Sequence, residues 1–215
     1  MIFDKIWNFL VLCGPTAIPL TIVSIISLAV IIERAIFFLR YRDNSFRLIK
    51  KIELLVAQND ILAALNELKG ERGPNAKLLA AALSHYKQDP ERIREVLQAV
   101  GEDEIRKMEK NLPILDLAAM IAPLLGLLGT VLGIIKSFNI MTGTLGMAAT
   151  DQISGGIAAA LISTAFGLII AIPSAIFYSY FTNLVSAKAH EMNLSVIDIM
   201  DIITVRGEDD VQAYY

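Results

Sequence analysis

Residues 153–181 read ISGGIAAALISTAFGLIIAIPSAIFYSYF, a run without one charged side chain. About 20 apolar residues in a helix cross the roughly 30 Å hydrocarbon core of a bilayer, and this run exceeds that length. Two more stretches behave alike. Residues 15–39 carry charge only at Glu33 and Arg34, and residues 112–136 hold Asp116 and end on Lys136. Hydrophobic residues make up 55 % of the 215 and charged residues 19 %, with a mean hydropathy of +0.57; soluble chains run more polar and more charged. The reading is an all-α polytopic membrane protein with three transmembrane helices and long helices extending into the cytoplasm.

Orientation follows from the basic residues. Arg40, Arg42, Arg47, Lys50 and Lys51 follow the first span, and Arg106, Lys107 and Lys110 precede the second. Cytoplasmic loops collect Lys and Arg, so residues 40–111 are expected to form a cytoplasmic helical loop. Segment 1–39 then holds a periplasmic N-terminus and the first span. Residues 137–152 form a short periplasmic turn between the second span (112–136) and the third (153–181), and 182–215 a cytoplasmic tail. Asp4 and Lys5 give no basic leader to the first stretch, which is read as a retained span rather than a signal peptide, with Cys13 as a membrane-buried thiol. Glu33 and Arg34 are expected as a charged anchor at its inner end.

The 40–111 interval reads as helical. Ile49, Ile52, Leu55, Val56, Ile61, Leu62, Leu65 and Leu68 recur at three- and four-residue steps. Gly70 to Pro74 marks a break. Asp89-Pro90-Glu91 has the order of a helix start. Ile93, Val96, Leu97, Val100, Ile105 and Met108 continue from it in a helix expected to run on into the second span, kinked near Pro113.

A net charge of −3 gives no reason to expect nucleic acid as a partner. Two histidines and one cysteine exclude a His/Cys zinc site within one chain and any intrachain disulfide, and His85 and His190 read as surface residues. No nucleophile–base set, phosphate loop or metal cluster stands out, so no enzyme activity and no cofactor are expected.

The two later spans are rich in small residues. Gly126, Gly129 and Gly133 lie at helical spacing in the second; Gly156, Ala160, Ser163, Thr164, Gly167, Ala171, Ser174 and Ala175 form a similar stripe in the third. Small residues let membrane helices approach closely, and these faces are expected to pack against neighbouring subunits around a central, largely apolar pore. Pro123 and Pro173 each leave a carbonyl without its helical donor. Thr130 lies six residues, about 9 Å, from Lys136, and Thr164 thirteen residues, about 20 Å, from Asp151, so on antiparallel helices both fall in the outer half to middle of the bilayer. Neither span carries a deep Asp, Glu, His, Lys or Arg. Intramembrane ionisable groups normally carry proton relays, so a proton path through these helices must borrow its acid from a partner.

Two motifs carry a resemblance. Ala122-Pro123-Leu124-Leu125-Gly126-Leu127-Leu128-Gly129-Thr130-Val131-Leu132-Gly133 resembles the second-span motif of the MotA/TolQ/ExbB proton-channel family. The stretch from Gly156 through Ser163-Thr164-Ala165-Phe166-Gly167-Leu168 to Ala171-Ile172-Pro173 resembles its third-span motif. The resemblance implies a homopentamer around a dimer of an ExbD- or TolR-like single-span partner that supplies a membrane aspartate, with ion flow converted to motion. It implies that Thr130 and Thr164, with Ser163 beside them, line the ion path. Pro123, Pro173, Gly126, Gly129, Gly133, Gly156 and Gly167 would serve as kink and packing residues. Ala159 departs from the pattern, because ExbB and TolQ carry a glutamate there.

The expected function is therefore the ring subunit of an inner-membrane motor, ExbB-like or TolQ-like. It would use a proton or sodium gradient to energise outer-membrane transport or envelope processes, with membrane lipids and a TonB- or TolA-like protein as further partners. A motility stator and a purely structural membrane scaffold are the alternatives. The orientation has a direct test: in intact cells an impermeant thiol reagent should label Thr144→Cys and leave Ser84→Cys untouched, and labelling at Ser84→Cys from outside would reverse it.

Overall fold

A computed structural model of the chain describes residues 16–40, 45–58, 60–71, 73–143 and 147–212, and for 45–46, 140–143, 147–153 and 202–212 the backbone alone. Cys13, most of the 137–152 turn and the last residues of the tail lie outside the described side chains.

The described residues form seven helices and no strand: α1 Ala17–Arg40, α2 Ser45–Ala57, α3 Ile61–Leu68, α4 Pro74–Ser84, α5 Pro90–Glu109, α6 Leu112–Gly143 and α7 Met147–Gln212. Three helical stretches, within Ala17–Arg40, Pro90–Asn139 and Ser154–Asp201, are long and apolar enough to cross a membrane. The chain divides into two units, one of residues up to Arg34 and Asn111–Phe181, the other of Ala35–Lys110 and Thr182 onward.

In the first unit α1, α6 and α7 pack through Leu20, Ala122, Ile170 and Ala171, flanked by Val23, Leu125 and Phe166. Leucines and isoleucines such as Leu124, Leu127, Ile169 and Ile176 point outward, as expected where the solvent is hydrocarbon. At the end of α1, Arg34 is buried rather than a free anchor. Its Nε donates to Glu33 Oε2 at 2.6 Å and its Nη2 to Glu33 Oε1, while Asn111 Nδ2 donates to Glu33 at 3.4 Å. A desolvated guanidinium needs its fork satisfied, and the adjacent carboxylate does so.

The second unit departs from the sequence reading in two places. The helical period of Ile49 to Leu68 is broken: α2 ends at Ala57, and Asp60 caps α3, accepting a hydrogen bond from the Ala63 N–H at 2.9 Å. The cap restarts the phase, so Ala64 is buried and Leu62 is 77 % exposed. The expected continuous helix from Pro90 into the second span is also interrupted. Asn111 takes a left-handed φ of 67°, a conformation asparagine tolerates better than most residues. Pro113 then sits in the first turn of α6, where its missing N–H breaks no helical bond. Asp89 does stand at the N-cap of α5 with Pro90 next, but its side chain makes no capping hydrogen bond. His85 is half-buried at the end of α4, its Nδ1 2.8 Å from the Ala81 carbonyl.

Burial in this unit centres on α4, where Leu78, Leu79, Ala82 and Leu83 meet Ile93 and Leu97 of α5 and Ile52 of α2. Glu104 is only 2 % exposed among them, and Lys77 and Lys107 each donate to its Oε1 at 2.7 Å. Burial by itself pushes its carboxyl up, but the hydrogen bonds from Lys107 and Lys77 outweigh that and hold it below its ordinary 4.5. Lys107 also pairs with Asp103 at 2.5 Å, and the two carboxylates hold its ammonium well above the usual range.

A carboxyl lowered on folding adds stability above its unfolded value, and that stability is lost as pH falls through the folded value. The thermal midpoint of the detergent-purified protein should therefore drop between pH 6 and pH 3.5, and Glu104→Gln should remove part of that drop. An identical pH profile in the variant would show that the buried ion pairs do not set it.

Candidate ion pathway

The apolar helices α6 and α7 run antiparallel and close, and the glycines show how close. A methyl group added at Gly167 would come 2.5 Å from the Ala122 carbonyl and 3.2 Å from the Gly126 Cα. One at Gly133 would meet Ala160 Cβ at 2.8 Å, and one at Gly126 the Ser163 carbonyl at 3.0 Å. Gly156 is seated on Ser137, whose hydroxyl donates to the Gly133 carbonyl at 3.0 Å. These small faces meet each other within the chain, as close helix–helix packing requires. The expected 137–152 turn is shorter than the sequence suggested, since α6 runs to Gly143 and α7 begins at Met147; so short a connection keeps the complementary stripes of the two helices close.

At the centre of this contact the Thr130 and Thr164 hydroxyls hydrogen-bond each other. Thr130 Oγ1 also lies 3.0 Å from the Ala160 carbonyl and 3.2 Å from that of Gly126, and Thr164 Oγ1 lies 3.2 Å from Gly126. Two hydroxyls have two protons to give, while the carbonyls and each other's oxygens offer more acceptors than that. The pair can therefore accept a bond from outside at once, and can donate outward by releasing a carbonyl. Both threonines are half-buried.

Ser163 stands behind them at 1 % exposure, its hydroxyl 3.3 Å from the Ala159 carbonyl. A methyl at Gly129 would meet Ser163 Cβ at 2.7 Å and Thr16 Oγ1 at 2.6 Å. The start of α1 therefore brings a buried hydroxyl to the residue beside Thr130, which sequence reading missed. A single polar residue next to an apolar run was the only signal. Ser27 of α1 and Ser174 of α7 were also missed as a pair. They share a buried hydrogen bond of 2.6 Å, and Ser174 donates to the Ile170 carbonyl at 2.8 Å.

The prolines match in depth but not in face. At about 100° per residue, Pro123 lies about 20° from Thr130 around α6, and Pro173 about 180° from Thr164 around α7. Pro123 is half-buried and Pro173 exposed accordingly. The stretches 117–135 and 154–181 carry no Asp, Glu, Lys, Arg or His, so within these stretches the donors and acceptors nearest the threonine pair are hydroxyls and backbone carbonyls.

The sequence of residues 70–194 matches the model of the MotA/TolQ/ExbB proton channel family. The ExbB-like 3 protein of Synechocystis is 31 % identical over 80 % of this chain and 82 % of its own length. The biopolymer transport protein ExbB of Aquifex aeolicus is 46 % identical over 39 % of this chain and 55 % of its own. The Tol-Pal system protein TolQ of Haemophilus influenzae is 41 % identical over 35 % and 33 %.

The glycine contacts grade a substitution series. Gly167→Ala should lower the thermal midpoint, with overpacking worth about 1–3 kcal/mol, because its nearest obstacle is backbone. Gly155→Ala should be near neutral, since nothing lies within 4 Å of a methyl there. Equal midpoints for the two variants in the same detergent would contradict the α6–α7 approach.

Proposed function

The chain belongs to the MotA/TolQ/ExbB proton channel family, and from that membership and the site we propose that it is the ring subunit of an ion-driven motor in the inner membrane. Its three apolar helices and its family make it a multi-pass inner-membrane component of a proton-channel transport system. Beyond that, the proposed assembly is a pentamer around a dimer of an ExbD- or TolR-like single-span protein. In this assembly the N-terminus faces the periplasm and the tail the cytoplasm. Residues 40–111 are the cytoplasmic loop and 137–152 the periplasmic turn. The work energised is transport or maintenance at the outer membrane, through a TonB- or TolA-like protein.

One observation carries the reading: two half-buried hydroxyls from different helices are paired, within stretches (117–135 and 154–181) that have no acid of their own. The carboxylate that takes up and releases the ion then belongs to the partner. As it passes, Thr130 or Thr164 releases its carbonyl and donates to the carboxylate or its water. Hydrogen bonds to a charged group are worth about 1.5–3 kcal/mol, which is enough to bias protonation without trapping the partner. Ser163 and Gly129 back the pair and hold its spacing, and Pro123 lies beneath Thr130 on the same face. Ala159 departs from the glutamate that the family resemblance leads one to expect, so the ion path is proposed without a choice between proton and sodium.

A scaffold reading has its own support, because each hydroxyl already has a partner inside the chain. Substitution separates the two. Thr130→Val with Thr164→Val keeps shape and removes both hydroxyls; the assembled complex should lose most of its ion flux and its energised transport together, while Thr→Ser at both positions keeps most of each. Flux in the double valine variant equal to wild type, at equal complex mass, would leave packing as the role of both residues.

A further inference from the structure

The first unit holds a second set of hydroxyls along the seam between α1 and α7. Ser27 and Ser174 are buried there and share a hydrogen bond of 2.6 Å. Eleven residues before each of them stand Thr16 and Ser163, which are buried as well. Eleven residues are close to three helical turns, about 16 Å, so both pairs keep to one face and the two helices run parallel in a fixed register. Between the pairs Leu20 of α1 packs with Ile170 and Ala171 of α7.

Thr16 and Ser163 meet at Gly129. A methyl built on that glycine would stand 2.6 Å from Thr16 Oγ1, 2.7 Å from Ser163 Cβ and 3.0 Å from Ser163 Oγ. Three helices therefore close on one point, directly behind the threonine pair: Gly129 precedes Thr130 and Ser163 precedes Thr164. One hydrogen of Gly129 occupies the direction of that methyl and so points toward the Thr16 oxygen. Cα–H to oxygen approaches of this kind recur where helices touch. A methyl carbon in place of the oxygen needs carbon–carbon spacing, about 3.5–4.0 Å, and would push Gly129 away from α1. Thr130 moves with its neighbour, and its bonds to Thr164 and to the Ala160 carbonyl move with it.

We propose that Thr16 is a positioning residue of the ion pathway. Its hydroxyl oxygen sets how closely α1 lies on Gly129, and through Gly129 and Ser163 it holds Thr130 against Thr164. It does not itself touch the ion. The inference rests on the reading of the threonine pair given above and adds a third helix to that site.

The test measures ion flux through the assembled complex in proteoliposomes. Thr16→Val keeps the shape and replaces the oxygen by a methyl; it should lower flux about three- to tenfold at equal complex mass. Thr16→Ser keeps the oxygen and should stay within about twofold of wild type. Ser27→Ala cuts the other polar bond of the seam, about 16 Å from Gly129. It should lower the thermal midpoint and leave flux within about twofold, because Leu20 still packs in place. In a Thr130→Val background Thr16→Val should cost less than about twofold more, since residues that act through one another are not additive. Wild-type flux in Thr16→Val, or an equal loss in Thr16→Ser, would overturn the role of the oxygen. An equal loss in Ser27→Ala would make α1 as a whole responsible and overturn the assignment to Thr16, as would a full further loss in the Thr130→Val background. Should Thr16→Val not assemble, Thr16→Ala also lacks the oxygen and is read against the same outcomes. Each of these failures leaves the threonine pair standing if Thr130→Val with Thr164→Val still loses flux. Wild-type flux in that double variant would remove the pair and this inference together.

Discussion

The backbone contact between α6 and α7 is the constraint on which the rest of the molecule depends. In hydrocarbon the helices gain nothing by hiding apolar surface from lipid, so they associate through close packing and the few polar bonds they can make. Gly126, Gly133, Gly156 and Gly167 remove side chains where the helices cross, and the 2.5 Å left for a methyl at Gly167 shows that no larger residue fits without a shift. That approach brings the Thr130 and Thr164 hydroxyls within bonding distance of each other and of the opposing helix's carbonyls. With side chains as large as leucine at the glycines, the helices would stand apart and the hydroxyls would turn back onto their own helices, as isolated membrane threonines do.

Around that contact the polar groups of the first unit are settled locally. Ser27 and Ser174 satisfy each other beside Pro173 within α7, and Arg34 is closed by Glu33. The threonine pair has more acceptors around it than protons to give. The second unit solves a different problem, since its helices are short and polar outside. There Glu104 is held between two lysines in an otherwise apolar contact of α4 and α5. A buried ion pair adds less to stability than to the choice of register, and here it fixes how α5 sits on α4.

The helical class and three spans were legible because they rest on length and on the absence of charge, which need no tertiary information. Residues 153–181 admit few other readings. The threonines were legible as a matched pair in depth, and the structure joins them. Other features were hidden for physical reasons. Asp60 reads as one polar residue among several, and only its bond to Ala63 reveals the cap that turns Leu62 outward. Glu104 stands in a highly charged helix, and the lysine that meets it there, Lys77, comes from a different helix. The glycine stripes could be read as close-packing surfaces, but a stripe does not name its partner: the same residues would serve a neighbour or the next helix of the chain. Thr16, Ser27 and Ser174 are single small polar residues whose significance exists only across helices.

The missing acid has a consequence for how such a device works. An ionisable group fixed in the 117–135 or 154–181 stretch would tie each protonation event to one place in the chain, and would have to be desolvated there permanently, which is costly without a counter-charge. Hydroxyls impose no such cost. They carry no charge to bury, remain satisfied by Ala160 and Gly126 when unvisited, and exchange those bonds for a carboxylate when one arrives. In the proposed assembly, a ring of such stations would offer identical, uncharged resting places to an acid carried on a moving partner. The energy gap between visited and unvisited states is then set by hydrogen-bond exchange, a difference of order 1 kcal/mol, rather than by the much larger cost of uncovering a buried charge. Small, repeated gaps of this kind are what a partner needs in order to step from one station to the next without being held.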